Sequence, residues 1–176
     1  MTPLELRGER VLLRPLELEE LDVLHAPHEG LIEPPSDDLE ALDRLRRRIE
    51  SSGRFCDGRL DLGIEAGGEL IGSIEARHPP AALPPGVFEL GITLFATHDR
   101  GCGYGTEATR LLTEHLFAAL GAERVQASTD VENTAMRRVF EKLGFAEEGV
   151  MRGFMPAGDG RADYVLYGVT KAEWGG

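Results

Sequence analysis

Apolar positions along this chain recur either with strand period or with helical period, and glycines and prolines mark the changes between the two. Arg10-Val11-Leu12-Leu13-Arg14 reads as a first strand stopped by Pro15. Residues 17–25 then place Leu18, Leu21 and Leu24 at helical spacing. The breaker cluster Pro34-Pro35-Ser36-Asp37 precedes a second helix that runs to about residue 51, with Ser36 or Asp37 as its cap. One face of that helix carries Leu39, Leu42, Leu45 and Ile49; Arg44, Arg46, Arg47 and Arg48 fall mostly on the other, where they read as a solvated face. Residues 60–66 and 69–77 form two strands joined at Gly67-Gly68, a hairpin signal. The proline-rich segment from His78 to Gly86 cannot sustain a ladder and is a surface excursion.

In the second half of the chain, residues 87–96 read as a strand and lead into a long helix ending near Leu120, with Gly121 as its stop. Ala108, Leu111, Leu112, His115, Leu116 and Ala119 make its apolar stripe, so His115 reads as a packed core histidine. Residues 123–129 make another strand. Asn133 caps a short helix whose Met136, Val139, Phe140 and Leu143 repeat at helical spacing before Gly144. Two final strands, residues 145–154 and 162–171, enclose the turn-rich Pro156-Ala157-Gly158-Asp159-Gly160. This order of elements fits an α+β fold, one mixed sheet with helices on its faces, and a single domain over residues 1–176.

Composition narrows the classes of function. A hydrophobic content of 41% and a charged content of 28% are ordinary globular values. The N-terminus lacks the basic and apolar regions of a signal peptide, and no apolar run is long enough to span a bilayer, so a cytoplasmic protein without membrane partners is expected. A net charge of −12 argues against direct nucleic-acid binding and favours a cationic substrate, although acidity also serves plain solubility. With only two cysteines, one of them in a glycine-rich loop, no structural disulfide is expected.

That loop, Arg100-Gly101-Cys102-Gly103-Tyr104-Gly105-Thr106-Glu107, carries the strongest chemical signal. Glycines let successive N–H groups turn toward one anion, and the helix that follows adds its dipole and its unpaired first-turn donors. Arg100 and the Thr106 hydroxyl supply further donors. A glycine-rich turn without ligand is the plainer reading; anion binding is preferred to it. The spacing G-x-G-x-G does not fit the G-x-G-x-x-G of dinucleotide folds, and no Gly-Lys-Ser/Thr triplet ends it as in a P-loop. Cys102 as a nucleophile would need a base, and nothing in the sequence places His98 for that role.

Arg100-Gly101-Cys102-Gly103-Tyr104-Gly105 resembles the phosphate loop of the GNAT superfamily of acetyl-CoA-dependent N-acetyltransferases, and the segment from Asn133 to Phe145, ending Glu141-Lys142-Leu143-Gly144-Phe145, resembles that family's Asn-led helix. Arg10-Val11-Leu12-Leu13-Arg14-Pro15-Leu16 and the run from Asp163 to Trp174 are similar to the subgroup typified by the RimJ/RimL ribosomal-protein N-terminal acetyltransferases. The resemblance spans about residues 4–174. It implies a mostly antiparallel sheet of about seven strands with four helices, acetyl-CoA as co-substrate, no metal, and an amine acceptor that is a small molecule or a protein N-terminus. A homodimer is a fair expectation for such a fold.

By the same resemblance, the backbone around Leu94, Phe95 and Ala96 pairs with the pantetheine arm, residues 101–106 (Gly101, Cys102, Gly103, Tyr104, Gly105, Thr106) and Arg100 hold the pyrophosphate, and an N–H near Leu94 polarises the thioester carbonyl. Asn133 faces the pantetheine arm, caps its helix, or does both. Glu89 is the candidate general base, with desolvation by Phe88 and Leu90 expected to raise its proton affinity; a solvated or ion-paired glutamate is the competing reading. Ser128 is a candidate weak acid or water holder near Asp130, and Tyr164 and Tyr167 are substrate contacts or sheet packing. Two departures stand out: Phe140 occupies the place of the family's thiolate-protonating tyrosine, and Met136 the place of a serine common in the subgroup. Those absences keep open an alternative, a catalytically silent acyl-CoA-binding module.

Overall fold

Eight strands assemble one sheet, and the computed structural model describes residues 2–26 and 39–174 of the chain. The strands are β1 (Leu6–Arg7), β2 (Leu12–Arg14), β3 (Arg59–Ala66), β4 (Glu69–Arg77), β5 (Val87–Leu94), β6 (Arg124–Asp130), β7 (Ala146–Ala157) and β8 (Gly160–Thr170). Their spatial order is β1-β2-β3-β4-β5-β6-β8-β7. Only β5 and β6 run parallel; every other neighbouring pair is antiparallel. The helices among the described residues are α1 (Leu21–His25), α2 (Leu39–Ser51), α3 (Tyr104–Ala119), α4 (Thr134–Lys142) and α5 (Lys171–Trp174).

Differences from the sequence reading have local causes. The extra strand is β1, too short for periodicity to register, and the extra helix is α5, a single turn. Residues 17–25 begin as a 3₁₀ turn, Leu18–Glu20, because Glu17 and Glu20 close a reciprocal capping box. Ser36 and Asp37 lie outside the described residues. The last hairpin closes more tightly than its composition suggests: β7 and β8 continue to the Ala157↔Gly160 pair, with Gly158 at φ +54° in the turn. Pro156 is tolerated there because β7 is the outermost strand, where a missing N–H breaks no ladder. Register shifts mark bulges in β7 between Glu147 and Gly149 and between Met151 and Met155.

Strand register sorts the side chains onto two faces. Leu62, Ile74 and Ile92 stand in one row and Leu60, Ala76 and Leu90 in the next, facing α3. Here Leu112 and Leu116 are fully buried, and Phe140, Phe145, Tyr167 and Trp174 form a chain of tilted and edge-on aromatic contacts. His115, at the margin of this core, is half-buried, and desolvation lowers its imidazole pKa from the ordinary value. The opposite face carries Asp61, Glu75 and Glu89 and is covered by α1 and α2. Among the described residues no helix is long and apolar enough to cross a membrane.

One carboxylate ties the N-terminal hairpin to the long helix. Glu107, in the first turn of α3, accepts the N–H groups of Glu9 at 2.7 Å, Arg10 at 2.9 Å and Val11 at 3.0 Å. Gly8 fits the same clamp, since a Cβ there would sit 2.6 Å from the Glu107 carboxyl. Burial alone would raise the Glu107 pKa, but the three donors together hold it below the ordinary carboxylate value. Replacing Glu107 by alanine strands those N–H groups and should cost about 2–3 kcal/mol in urea unfolding. Because the folded-state value is depressed, the clamp's contribution is complete above the unfolded value of 4.5 and is lost as pH falls through the folded one. The difference between wild type and Glu107→Ala should therefore shrink in acid, and a difference independent of pH would contradict the clamp.

Candidate active site

Strands β5 and β6 pair only from Val87↔Arg124 to Leu90↔Ala127, yet both continue, to Leu94 and Asp130. A parallel pair that stops part-way leaves a wedge with backbone groups along both edges. Phe95 donates its N–H to the Ile71 carbonyl of β4 at 2.9 Å. Strand alternation therefore turns the N–H and C=O of Ile92 and Leu94 the other way, into the wedge. Of the three residues expected to offer main-chain groups, Leu94 turns its N–H and C=O into the wedge, and the same alternation turns the N–H of Ala96, still extended, to that side. The Phe95 N–H is spent on β4, and the Ala96 carbonyl accepts from Asp99 N–H at 3.2 Å as the chain enters a 3₁₀ turn, Thr97–Asp99. Ile92 was missed because the direction of its backbone depends on register.

The glycine loop closes one end of the wedge. Gly101 and Gly103 adopt φ of +78° and +86°, the left-handed region that favours glycine, and Gly103 is the N-cap of α3. Gly105 does not share that geometry: it sits in the first helical turn, and a Cβ there would make only an ordinary contact, 3.9 Å, with Ile92 and Leu94. With no side chain capping the helix, the N–H groups of Gly103, Tyr104, Gly105 and Thr106 form its unpaired first turn. Arg10 Nη1 donates to the Cys102 carbonyl at 2.8 Å and holds the loop from behind. Cys102 itself is exposed and bonded only to carbonyl oxygens, while His98 lies 3.7 Å from Asp99, so no base is arranged for a thiol nucleophile.

On the other side of the sheet the wedge opens into a cleft of about 840 Å³. Register across β3, β4, β5 and β6 lines up Arg59, Arg77, Glu89 and Gln126 in one row and Asp61, Glu75 and Gly91 in the next. The carboxylates are consequently paired. Asp61 accepts from Arg48 and from Arg59, each at 2.7 Å. Glu75 meets Arg59, Arg48 at 3.4 Å and Arg77 at 3.4 Å. A Cβ on Gly91 would sit 2.9 Å from the Glu75 carboxylate, so glycine leaves room for this cluster. Arg48 thus belongs to the cleft and not to a solvated face; its neighbours Arg44 and Arg46 remain exposed.

Glu89 lies at the wedge, with its Oε1 accepting from Arg77 at 2.6 Å and its Oε2 from Gln126 at 3.3 Å. Its side chain is 30% exposed. Its sequence neighbours Phe88 and Leu90 point to the α3 face and not toward its carboxylate. Ser128 and Asp130 line the same cleft, and Asp130 also accepts the Glu132 N–H at 2.8 Å. Tyr164, paired with Asp130 across β6 and β8, lines it too; burial first, and the Asp130 charge second, raise its phenol pKa and keep it protonated. Tyr167 is core, with its hydroxyl receiving Arg137 Nε at 3.2 Å.

Asn133 caps α4 by accepting the Met136 N–H at 3.1 Å and also borders the cleft, so its two expected roles are compatible. Phe140 is 2% exposed and stacks on Phe145 and Tyr167. Neither Phe140 nor Met136 can donate a proton. No group of metal-ligating side chains occurs among the described residues.

Known proteins resemble this chain in sequence and in overall fold. Residues 10–146 match the acetyltransferase (GNAT) domain family. The uncharacterized N-acetyltransferase p20 of Bacillus licheniformis is 27% identical over 175 residues, covering 96% of this chain and 97% of its own length. A GNAT-family acetyltransferase structure from Bacillus anthracis superposes with a TM-score of 0.77 at 21% identity, covering 97% of this chain and 100% of the other. The spermidine N-acetyltransferase of Vibrio cholerae, solved with CoA and spermine, does so with a TM-score of 0.78 at 19% identity, covering 96% and 100%. The parted strands, the left-handed glycines before α3 and the family match converge, and the chain belongs to the GNAT family and is an N-acetyltransferase.

Proposed function

We propose that the wedge between β5 and β6 receives acetyl-CoA and that a primary amine attacks its thioester from the cleft on the α1/α2 side. The observation that carries this is the coincidence of two donor sets: the inward-facing backbone of Ile92 and Leu94, and the unpaired first turn of α3 at the end of the same strand. The N–H groups of residues 103–106, with Gly101, Cys102 and Arg100 beside them, suit a diphosphate. The edge of β5 suits the amide-bearing pantetheine arm as an added strand. Asn133 borders that path. The terminal segments around Arg14 and Tyr164 support placement near the RimJ/RimL-like subgroup.

In the reaction the acceptor ammonium first gives a proton to Glu89 through water, since both carboxylate oxygens already hold partners. The neutral amine then attacks the carbonyl carbon, and the Leu94 N–H steadies the developing oxyanion. The C–S bond breaks and the thiolate leaves. With Phe140 and Met136 unable to serve, the thiolate takes its proton from water held near Ser128 or from the product nitrogen. A thiol is a good leaving group near neutral pH, so this step needs little assistance.

Thiol release from acetyl-CoA across a panel of amines and N-terminal peptides tests the activity. Glu89→Gln should lower kcat by about 100-fold and leave acetyl-CoA affinity unchanged; an unaltered kcat would remove Glu89 from the mechanism. Gly101→Val forces a branched side chain into the left-handed region while meeting no neighbour within 4 Å. It should weaken acetyl-CoA binding about tenfold in calorimetry, and unchanged affinity would separate this loop from the cofactor.

A further inference from the structure

The chain's net charge of −12 and its structural likeness to a spermidine N-acetyltransferase invite a polycationic acceptor, but the cleft does not share the acidity of the whole. Its carboxylates Asp61, Glu75 and Glu89 are matched by Arg48, Arg59 and Arg77 in contact with them. Asp130 is the one cleft carboxylate without an ion pair among the described residues. One uncompensated negative charge suits one ammonium. Two or three further charges of a polyamine would meet guanidinium groups, two of them exposed, Arg48 at 43% and Arg77 at 41%.

Beside Ser73, Thr93, Ser128, Thr129 and Asn133, the cleft wall carries a set of apolar side chains. Phe154 is 44% exposed, and its ring lies 5.7 Å from that of Tyr164. It sits on the bulge of β7, where Gly153 N–H donates to Asp163 at 2.6 Å, Arg161 Nη2 donates to the Phe154 carbonyl at 2.9 Å, and Arg161 Nε donates to the Gly153 carbonyl. Two side chains from the neighbouring strand pin the backbone of this bulge and so fix where the aromatic ring emerges beside Tyr164. Leu16, Leu24 and Leu45 line the cleft as well. We infer that the acceptor is a monoamine carrying an aromatic or bulky aliphatic group close to its nitrogen, with that group held against Phe154 and Tyr164, and that polyamines are poor substrates. The amine source is either a small molecule or a peptide whose first residue is apolar. This inference rests on the acetyl-transfer reading above.

The experiment measures thiol release from acetyl-CoA by the full chain with phenethylamine, the peptide Phe-Gly-Gly, the peptide Asp-Gly-Gly and spermidine. Phenethylamine or Phe-Gly-Gly should exceed spermidine in kcat/KM by about tenfold or more, and the ratio between those two distinguishes the small-molecule source from the peptide source. Phe154→Ala should raise KM for the aromatic acceptor about tenfold while kcat and the KM for acetyl-CoA stay put. Phe154→Tyr should restore it. Circular-dichroism melting checks that the alanine variant folds, and Phe154→Leu supplies the same readout if it does not. Preference for spermidine, equal use of Asp-Gly-Gly, or an unmoved KM in the folded variant would overturn the inference and leave acetyl transfer intact. Thiol release that no amine raises above the amine-free rate would overturn acetyl transfer, and this inference with it.

Discussion

Everything at the site follows from the early end of one ladder. A parallel pair gains most by running its full length, and β5 and β6 forgo that beyond Leu90 and Ala127 while both strands keep an extended backbone. The freed N–H and C=O groups need partners, and a buried unpaired backbone group is costly. The separation survives because each strand is secured on its other side, β5 to β4 as far as Leu94 and β6 to β8 as far as Asp130. On the proposed reading, a strand-like ligand pairs with the freed groups and returns the hydrogen bonds forgone inside the protein.

Electrostatics divide the molecule at the same line. On the α3 side the groups on offer are main-chain donors, and Glu107 and Arg10 act behind the loop to fix its shape. On the α1/α2 side it is carried by long side chains whose rows come from the register of four strands. Interleaving arginines with carboxylates there keeps Asp61, Glu75 and Glu89 partnered and leaves a surface whose shape and apolar patches have room to discriminate.

Local features of the fold were legible in the sequence wherever backbone geometry dictates residue type. Gly67-Gly68 sits in its hairpin with both residues at positive φ, Asn133 caps its helix, and Gly101 and Gly103 take the left-handed conformations that the loop pattern suggested. What stayed hidden depends on relations between distant strands. That Phe95 faces β4 and Ile92 faces the wedge follows from where the β4–β5 ladder starts, which composition does not encode. Arg48 looked like one of four solvated arginines because its partners, Asp61 and Glu75, lie thirteen and twenty-seven positions further along the chain. Gly105 looked like a third loop glycine, although the helix had already begun at Tyr104.

The outer margins of the sheet have a bearing on how two copies of this chain would meet. One margin is β1, only two residues long, and the other is β7, bent by two bulges and interrupted by Pro156 near its tip. Neither presents the straight run of alternating donors and acceptors that a foreign backbone would need as a template. Strand-to-strand zippering of two copies is thereby disfavoured at both rims of the sheet.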